Sequence, residues 1–203
     1  MSVTQLSLQS VTLPRGAVRN LSVDFASGVH LIVGPNGVGK TSLLNSIAGT
    51  LPPIFGTIRY GGAPLEAGST QVVLAPNTPP EIPWIRAGLL LEFVVSLYPA
   101  TRRDAASARA VIDGFGIADF LSAPLGSLSA GTARKLLLAA ALIAAPPILL
   151  FDEPTNEIDL ASIGALLEFL RAAARDRVVL ITTHHATDLA TLSPGVLDLS
   201  LTN

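Results

Sequence analysis

An α/β fold built on a mostly parallel sheet is the architecture this sequence predicts, and three observations predict it. Short apolar runs rich in β-branched residues at 29–33, 148–151 and 178–182 read as strands buried on both faces. Helically spaced apolar residues occupy 41–49, 130–145 and 160–174, between those runs. Strands that alternate with helices in this way form a parallel sheet covered on both sides.

The elements follow in order. Leu6, Leu8 and Val11, then Leu21, Val23 and Phe25, alternate with polar residues and predict an N-terminal antiparallel β subdomain. After the strand at 29–33 comes a glycine-rich loop, then a helix carrying Leu43, Leu44 and Ile47, ended by Pro52 and Pro53. Residues 56–62 read as a strand and turn, and 71–75 as a strand. From about Arg86 to Leu125 the period changes. Leu89, Leu90, Phe93, Val94 and Leu97 recur at helical spacing, with Leu89, Leu90 and Val94 read as core of their own lobe. Residues 102–115 continue helically up to Gly114 and Gly116. This is an inserted helical lobe, with the α/β core at 1–85 and 126–203. Residues 195–201 read as a last short strand.

Composition bounds the function. The chain has 203 residues, enough for one large domain with a lobe. A net charge of −2 argues against a nucleic-acid binder, which works by neutralising phosphates. The absence of cysteine excludes a disulfide framework, a thiolate metal site and a thiol nucleophile. The N-terminus lacks the basic and apolar regions of a signal peptide. The longest apolar run, 136–151, is split by Pro146 and Pro147, whereas a membrane span needs about 20 continuous apolar residues. A cytoplasmic protein with a partner-facing surface is expected.

Gly34-Pro35-Asn36-Gly37-Val38-Gly39-Lys40-Thr41 fits G-x-x-x-x-G-K-[ST], between a strand and a helix. The glycines let backbone N–H groups approach phosphate oxygens, and the helix that follows aims its positive end at them. Lys40 supplies a charge for the β- and γ-phosphates, and the Thr41 hydroxyl is a ligand for Mg²⁺. Ser42, next in line, joins the nucleotide site. Further on, four apolar residues deliver Asp152 and Glu153 at a strand's carboxyl end, where open α/β sheets bind ligands. Asp152 would hold Mg²⁺ and Glu153 would deprotonate an attacking water. A solvated acidic turn is the alternative for that pair taken by itself.

Leu128-Ser129-Ala130-Gly131-Thr132, followed by a helix and then by Asp152-Glu153-Pro154-Thr155-Asn156, resembles the signature and neighbouring motifs of ATP-binding-cassette (ABC) proteins. The motifs stand in that family's order across essentially the whole chain. The resemblance implies a P-loop NTPase core that binds ATP with Mg²⁺ and hydrolyses the ATP. It also implies a head-to-tail homodimer with ATP between subunits, in which Ser129 and Gly131 contact the γ-phosphate held by the other copy. A small-residue turn at a helix N-terminus suits an anion, although Ser129 also reads as an ordinary N-cap. Asp159 resembles the D-loop acid at the subunit contact. His184 resembles the switch histidine that contacts the γ-phosphate, and it is preferred over the adjacent His185. His30 is read as structural.

Three departures stand out. Ala130 and Thr132 replace the family's usual glycine and glutamine, keeping a small turn. Asn77 stands where the family has a glutamine that reaches Mg²⁺ and the attacking water, and it is one methylene shorter. Residues 11–18 lack the aromatic residue on which adenine stacks, a contact worth about 1–3 kcal/mol per base. Arg15 reads either as a planar substitute or as a solvated surface residue. Weak, poorly adenine-selective binding by the isolated chain is expected. Trp84 reads as a partner anchor or as core. The family implies a separate transmembrane permease subunit and peripheral attachment to the cytoplasmic face of the membrane. The small size with the Leu128-Ser129-Ala130-Gly131-Thr132 signature resembles exporter-type cassettes, a group that includes haem or cofactor exporters. A soluble ABC ATPase acting in translation or DNA repair is the alternative. An inactive binding module is a third reading, disfavoured by Lys40, Glu153 and His184.

Overall fold

The computed structural model describes residues 5–99, 104–184 and 186–201. Strands β3 (Gly28–Val33), β6 (Val72–Ala75), β7 (Ile148–Asp152), β8 (Val178–Thr182) and β9 (Gly195–Asp198) form a sheet in the order β6-β7-β8-β3-β9. Every neighbouring pair in it is parallel. Side chains alternate across this sheet. Leu149, Phe151, Val179 and Ile181 enter one apolar cluster, and Ile148, Leu150, Val178 and Leu180 enter the other. That is why β7 and β8 read as continuous apolar runs: neither of their faces meets water.

On the first face lie helices α4 (Ala130–Ala144) and α5 (Leu160–Ala173), with lobe helices α2 (Ala87–Ser96) and α3 (Ala105–Gly114) packed against α4. On the second lie helix α1 (Lys40–Ile47) and an antiparallel sheet, order β2-β1-β4-β5, of β1 (Leu6–Thr12), β2 (Leu21–Phe25), β4 (Phe55–Tyr60) and β5 (Ala63–Pro64). The spacing of Leu6, Leu8 and Val11 breaks step because β1 bulges there. Ser10 adopts φ 53, and a Cβ at Gly56 would meet the carbonyls of Gln9 and Ser10 at 2.5 Å. Only glycine fits opposite the bulge.

The lobe leaves the core at Ile85–Ala87 and returns at Ala123–Leu125. Ala87 N–H donates to the Ala123 carbonyl, and Leu125 N–H to that of Ile85. Leu90 and Leu91 are buried in it, but Leu89 is 48% exposed, contrary to its reading as core. The 3.6-residue period places Leu90, Leu91 and Val94 on the face toward α4, which turns Leu89 away. The start of the helix predicted at 102 falls outside the described residues. Within them α3 begins at Ala105, capped by the Asp104 carboxylate, which accepts from the N–H groups of Ala106 and Ser107. The last strand ends at Asp198, not at 201. The Asp198 carboxylate accepts from both the N–H and the hydroxyl of Ser200 and folds Leu199–Leu201 into a 3₁₀ turn. Among the described residues no helix is long and apolar enough to cross a membrane.

Candidate functional site

The carboxyl ends of β3, β6, β7 and β8 converge on a cleft of about 470 Å³. Its lining includes Asn36, Gly37 and Gly39 from the loop after β3, Lys40, Thr41 and Ser42 from the start of α1, Asn77 after β6, Asp152 at the end of β7 with Glu153 and Asn156 beyond it, and His184 after β8. Residues far apart in sequence meet here because parallel strands point all their carboxyl ends the same way.

The loop after β3 is shaped by glycines at φ 140 (Gly34), 79 (Gly37) and 118 (Gly39), a region L side chains avoid. Val38 turns its side chain into the core. Its carbonyl accepts from Ala17 N–H at 2.9 Å. A Cβ on Gly16 would meet that carbonyl at 2.6 Å, so the 13–18 loop lies directly on the glycine loop. Arg19 donates to the carbonyls of Leu13, Gly16 and Val18 and holds that loop's shape. Lys40, the first residue of α1, is buried, and its Nζ donates to the carbonyls of Gly34 at 2.8 Å and Pro35 at 3.4 Å. Arg15 and Gly16 also line the cleft, and among the described residues no aromatic side chain other than His184 does.

Asp152 and Glu153 are both buried. Thr41 Oγ1 donates to the two Asp152 oxygens at 3.1 and 3.0 Å, and Thr182 Oγ1 donates to Asp152 Oδ1 at 2.5 Å. Glu153 sits at φ 51, fixed by its N–H donating to the carbonyl and hydroxyl of Thr182 at 3.1 and 3.0 Å. Its carboxylate faces His184. Nε2 of the ring lies 3.2 Å from Oε1, and the backbone N–H of His184 donates to Oε2 at 3.1 Å. His185 lies outside the described residues.

Ser129, Gly131 and Asp159 do not line this cleft. Ser129 is exposed and caps α4, its Oγ accepting from Thr132 N–H at 3.1 Å and lying 2.8 Å from Thr132 Oγ1. A Cβ on Gly131 would stand 2.4 Å from the Glu157 carbonyl, so glycine is required there by packing alone. Asp159 caps α5, accepting from the N–H and hydroxyl of Ser162, and its Oδ2 lies 3.1 Å from Lys135 Nζ. Those bonds hold its carboxyl well below the usual carboxylate range, the Ser162 N–H contributing most.

Sequence reasoning missed Gly16, Asn156 and Thr182 as parts of the site. It also missed Arg134, which is buried beneath it and donates to the backbone carbonyls of Pro76 and Asp152. The available signal was the Arg134-Lys135 pair just ahead of a run of apolar residues in α4.

Residues 18–156 match the family described as ABC transporter. The chain belongs to the ABC transporter family. Its ABC relatives include the cytochrome c biogenesis ATP-binding export protein CcmA of Pseudomonas fluorescens, 35% identical over 91% of this chain and 88% of that protein. The taurine import ATP-binding protein TauB of Yersinia pestis is 30% identical over 88% of this chain and 74% of its own length. Among solved structures, a putative ABC transporter ATP-binding protein from Pyrococcus furiosus superposes with a TM-score of 0.80 at 24% identity, covering 97% of this chain and 98% of that one. At that identity the likeness concerns the fold. The chain is a single ABC ATP-binding cassette, of the family that hydrolyses ATP.

Proposed function

We propose that Lys40, Thr41, Asp152, Glu153 and His184 form the hydrolytic centre with which this ABC subunit drives a separate transmembrane permease. The observation that carries the reading is the Glu153–His184 contact, opening on the same cleft as Lys40 and Thr41. The loop Gly34–Lys40 cradles the phosphates of ATP, with Lys40 transferring its ammonium from the loop's carbonyls to the β- and γ-oxygens. Glu153 accepts a proton from the attacking water, whose oxygen bonds to the γ-phosphorus as the bond to ADP breaks. His184 holds the γ-phosphate side of that arrangement.

The Thr41 hydroxyl and the Asp152 carboxylate are hard oxygen donors, the set that suits Mg²⁺. Those two side chains would hold Mg²⁺ beside the nucleotide. When bound, Mg²⁺ neutralises charge on the phosphates.

Ser129, Gly131 and Asp159 lie away from the cleft and are assigned to a second copy's nucleotide in a head-to-tail homodimer. The working location is the cytoplasmic face of the membrane, reached through the permease. The relationship to CcmA favours the exporter-type version of this reading.

The test pairs the wild-type chain with Glu153→Gln at saturating Mg-ATP. Hydrolysis by the wild type, lost in a variant that accumulates as an ATP-bound dimer, is the expected result. A variant that hydrolyses at the wild-type rate sinks the assignment of Glu153.

A further inference from the structure

Parallel strands that are paired along their length separate at their carboxyl ends, and the carbonyls there lose their inter-strand donors. β6 and β7 are in register from Val72↔Ile148 to Ala75↔Phe151. The carbonyls of Pro76, just past β6, and of Asp152, at the end of β7, immediately precede Asn77 and Glu153. Both accept hydrogen bonds from one side chain, the Arg134 guanidinium, through Nη1 and Nη2 respectively. Arg134 is 1% exposed and stands on α4, five residues after its cap Ser129.

The guanidinium suits this place. Its planar fork reaches two carbonyls at once, whereas an ammonium is a single point. Burying the charge is costly, and burial holds Arg134 below the ordinary arginine range. Asp152, Glu157 and Glu153 counter this by favouring the cation. Among the described residues Nε has no hydrogen-bond partner. A leucine would avoid that cost but leave the Pro76 and Asp152 carbonyls without this donor, so the arginine is explained by its two bonds.

We propose that Arg134 is a positioning residue for hydrolysis: it ties the helix bearing Ser129 to the two strand ends that carry Asn77 and Glu153. A shift of α4 on engaging a second subunit is thereby transmitted to the backbone at both residues, while the phosphate loop, which Arg134 does not touch, keeps its shape. The inference rests on the ATPase reading above.

Hydrogen exchange on the full chain tests it without catalysis. Arg134→Gln is expected to speed exchange of the Asn77, Thr78, Asp152 and Glu153 amides by at least about tenfold and to leave those within 34–44 unchanged. Exchange that rises equally throughout the chain, or in neither segment, overturns the proposal. In hydrolysis, kcat falls at least about tenfold while the Kd for ATP stays within about twofold. Arg134→Lys, able to reach one carbonyl, recovers part of the loss. Affinity lost in step with kcat, or wild-type kcat in Arg134→Gln, overturns it. If Arg134→Gln does not fold, Arg134→Lys decides: faster exchange confined to the two segments supports the proposal, and wild-type exchange overturns it. Failure of the ATPase reading would show separately, as a wild-type chain that binds no ATP.

Discussion

Glu153 occupies the left-handed region at φ 51, which costs a non-glycine residue about 1–3 kcal/mol. Two bonds from its own N–H to Thr182 offset that cost, and Arg134 fixes the carbonyl just before it. The acid is thus held where β7 alone would not put it. Asn77 shares only the Arg134 bond, made to the Pro76 carbonyl just before it, and is exposed, lining the cleft with a short side chain. Asn77→Gln adds the missing methylene, and hydrolysis and its stimulation by the permease are expected to rise several-fold, read as kcat at saturating Mg-ATP. Unchanged rates would show that the shorter amide is no handicap. Lys40, Thr41, Asp152 and Glu153 were legible because their motifs are contiguous and their neighbours are local. Thr182 and Arg134 were not. Their bonds go to Asp152, to the Glu153 N–H and to the Pro76 carbonyl, and nothing in a linear pattern announces a bond to a distant backbone group.

α5 shows what one cap does for an element. Asp159 accepts from Ser162 twice and pairs with Lys135, and its carboxyl lies below the usual range. A depressed folded value means the contribution is present above the unfolded value, about pH 4, and lost as pH falls through the folded one. Wild type is therefore more stable than Asp159→Ala at pH 6, and the gap narrows below about pH 4 in denaturant titrations. A gap independent of pH would show that the charge plays no part. Among elements, α1, α4, α5 and the strands of the parallel sheet read well from sequence, because burial on fixed faces imposes a period. The β1 bulge, the end of β9 and the exposed Leu89 did not. Each depends on local hydrogen bonds or on the direction of a neighbouring helix rather than on apolar spacing.

At the scale of the whole molecule, the loop after Asn77 and the lobe present Trp84 at 72% exposure, with Phe93 and Leu97 also exposed. So little of Trp84 is buried that Trp84→Ala should change stability by less than about 0.5 kcal/mol. The same truncation should weaken association with the permease by about 1 kcal/mol or more, measured by co-purification and titration. Comparable losses in both would place Trp84 in the core instead.

The strand order has a consequence for how such a chain is made. β3 carries the glycine loop at its end, yet its partners in the sheet are β8 and β9. A polypeptide emerging from the ribosome N-terminus first exposes both edges of β3 until residues 178–198 arrive. During that interval the strand is a template for wrong pairing. Bound nucleotide gives no help, because ligand stabilises only a state that already has a site. ATP can lock a chain whose β8 and β9 have docked, but it cannot guide one still being synthesised.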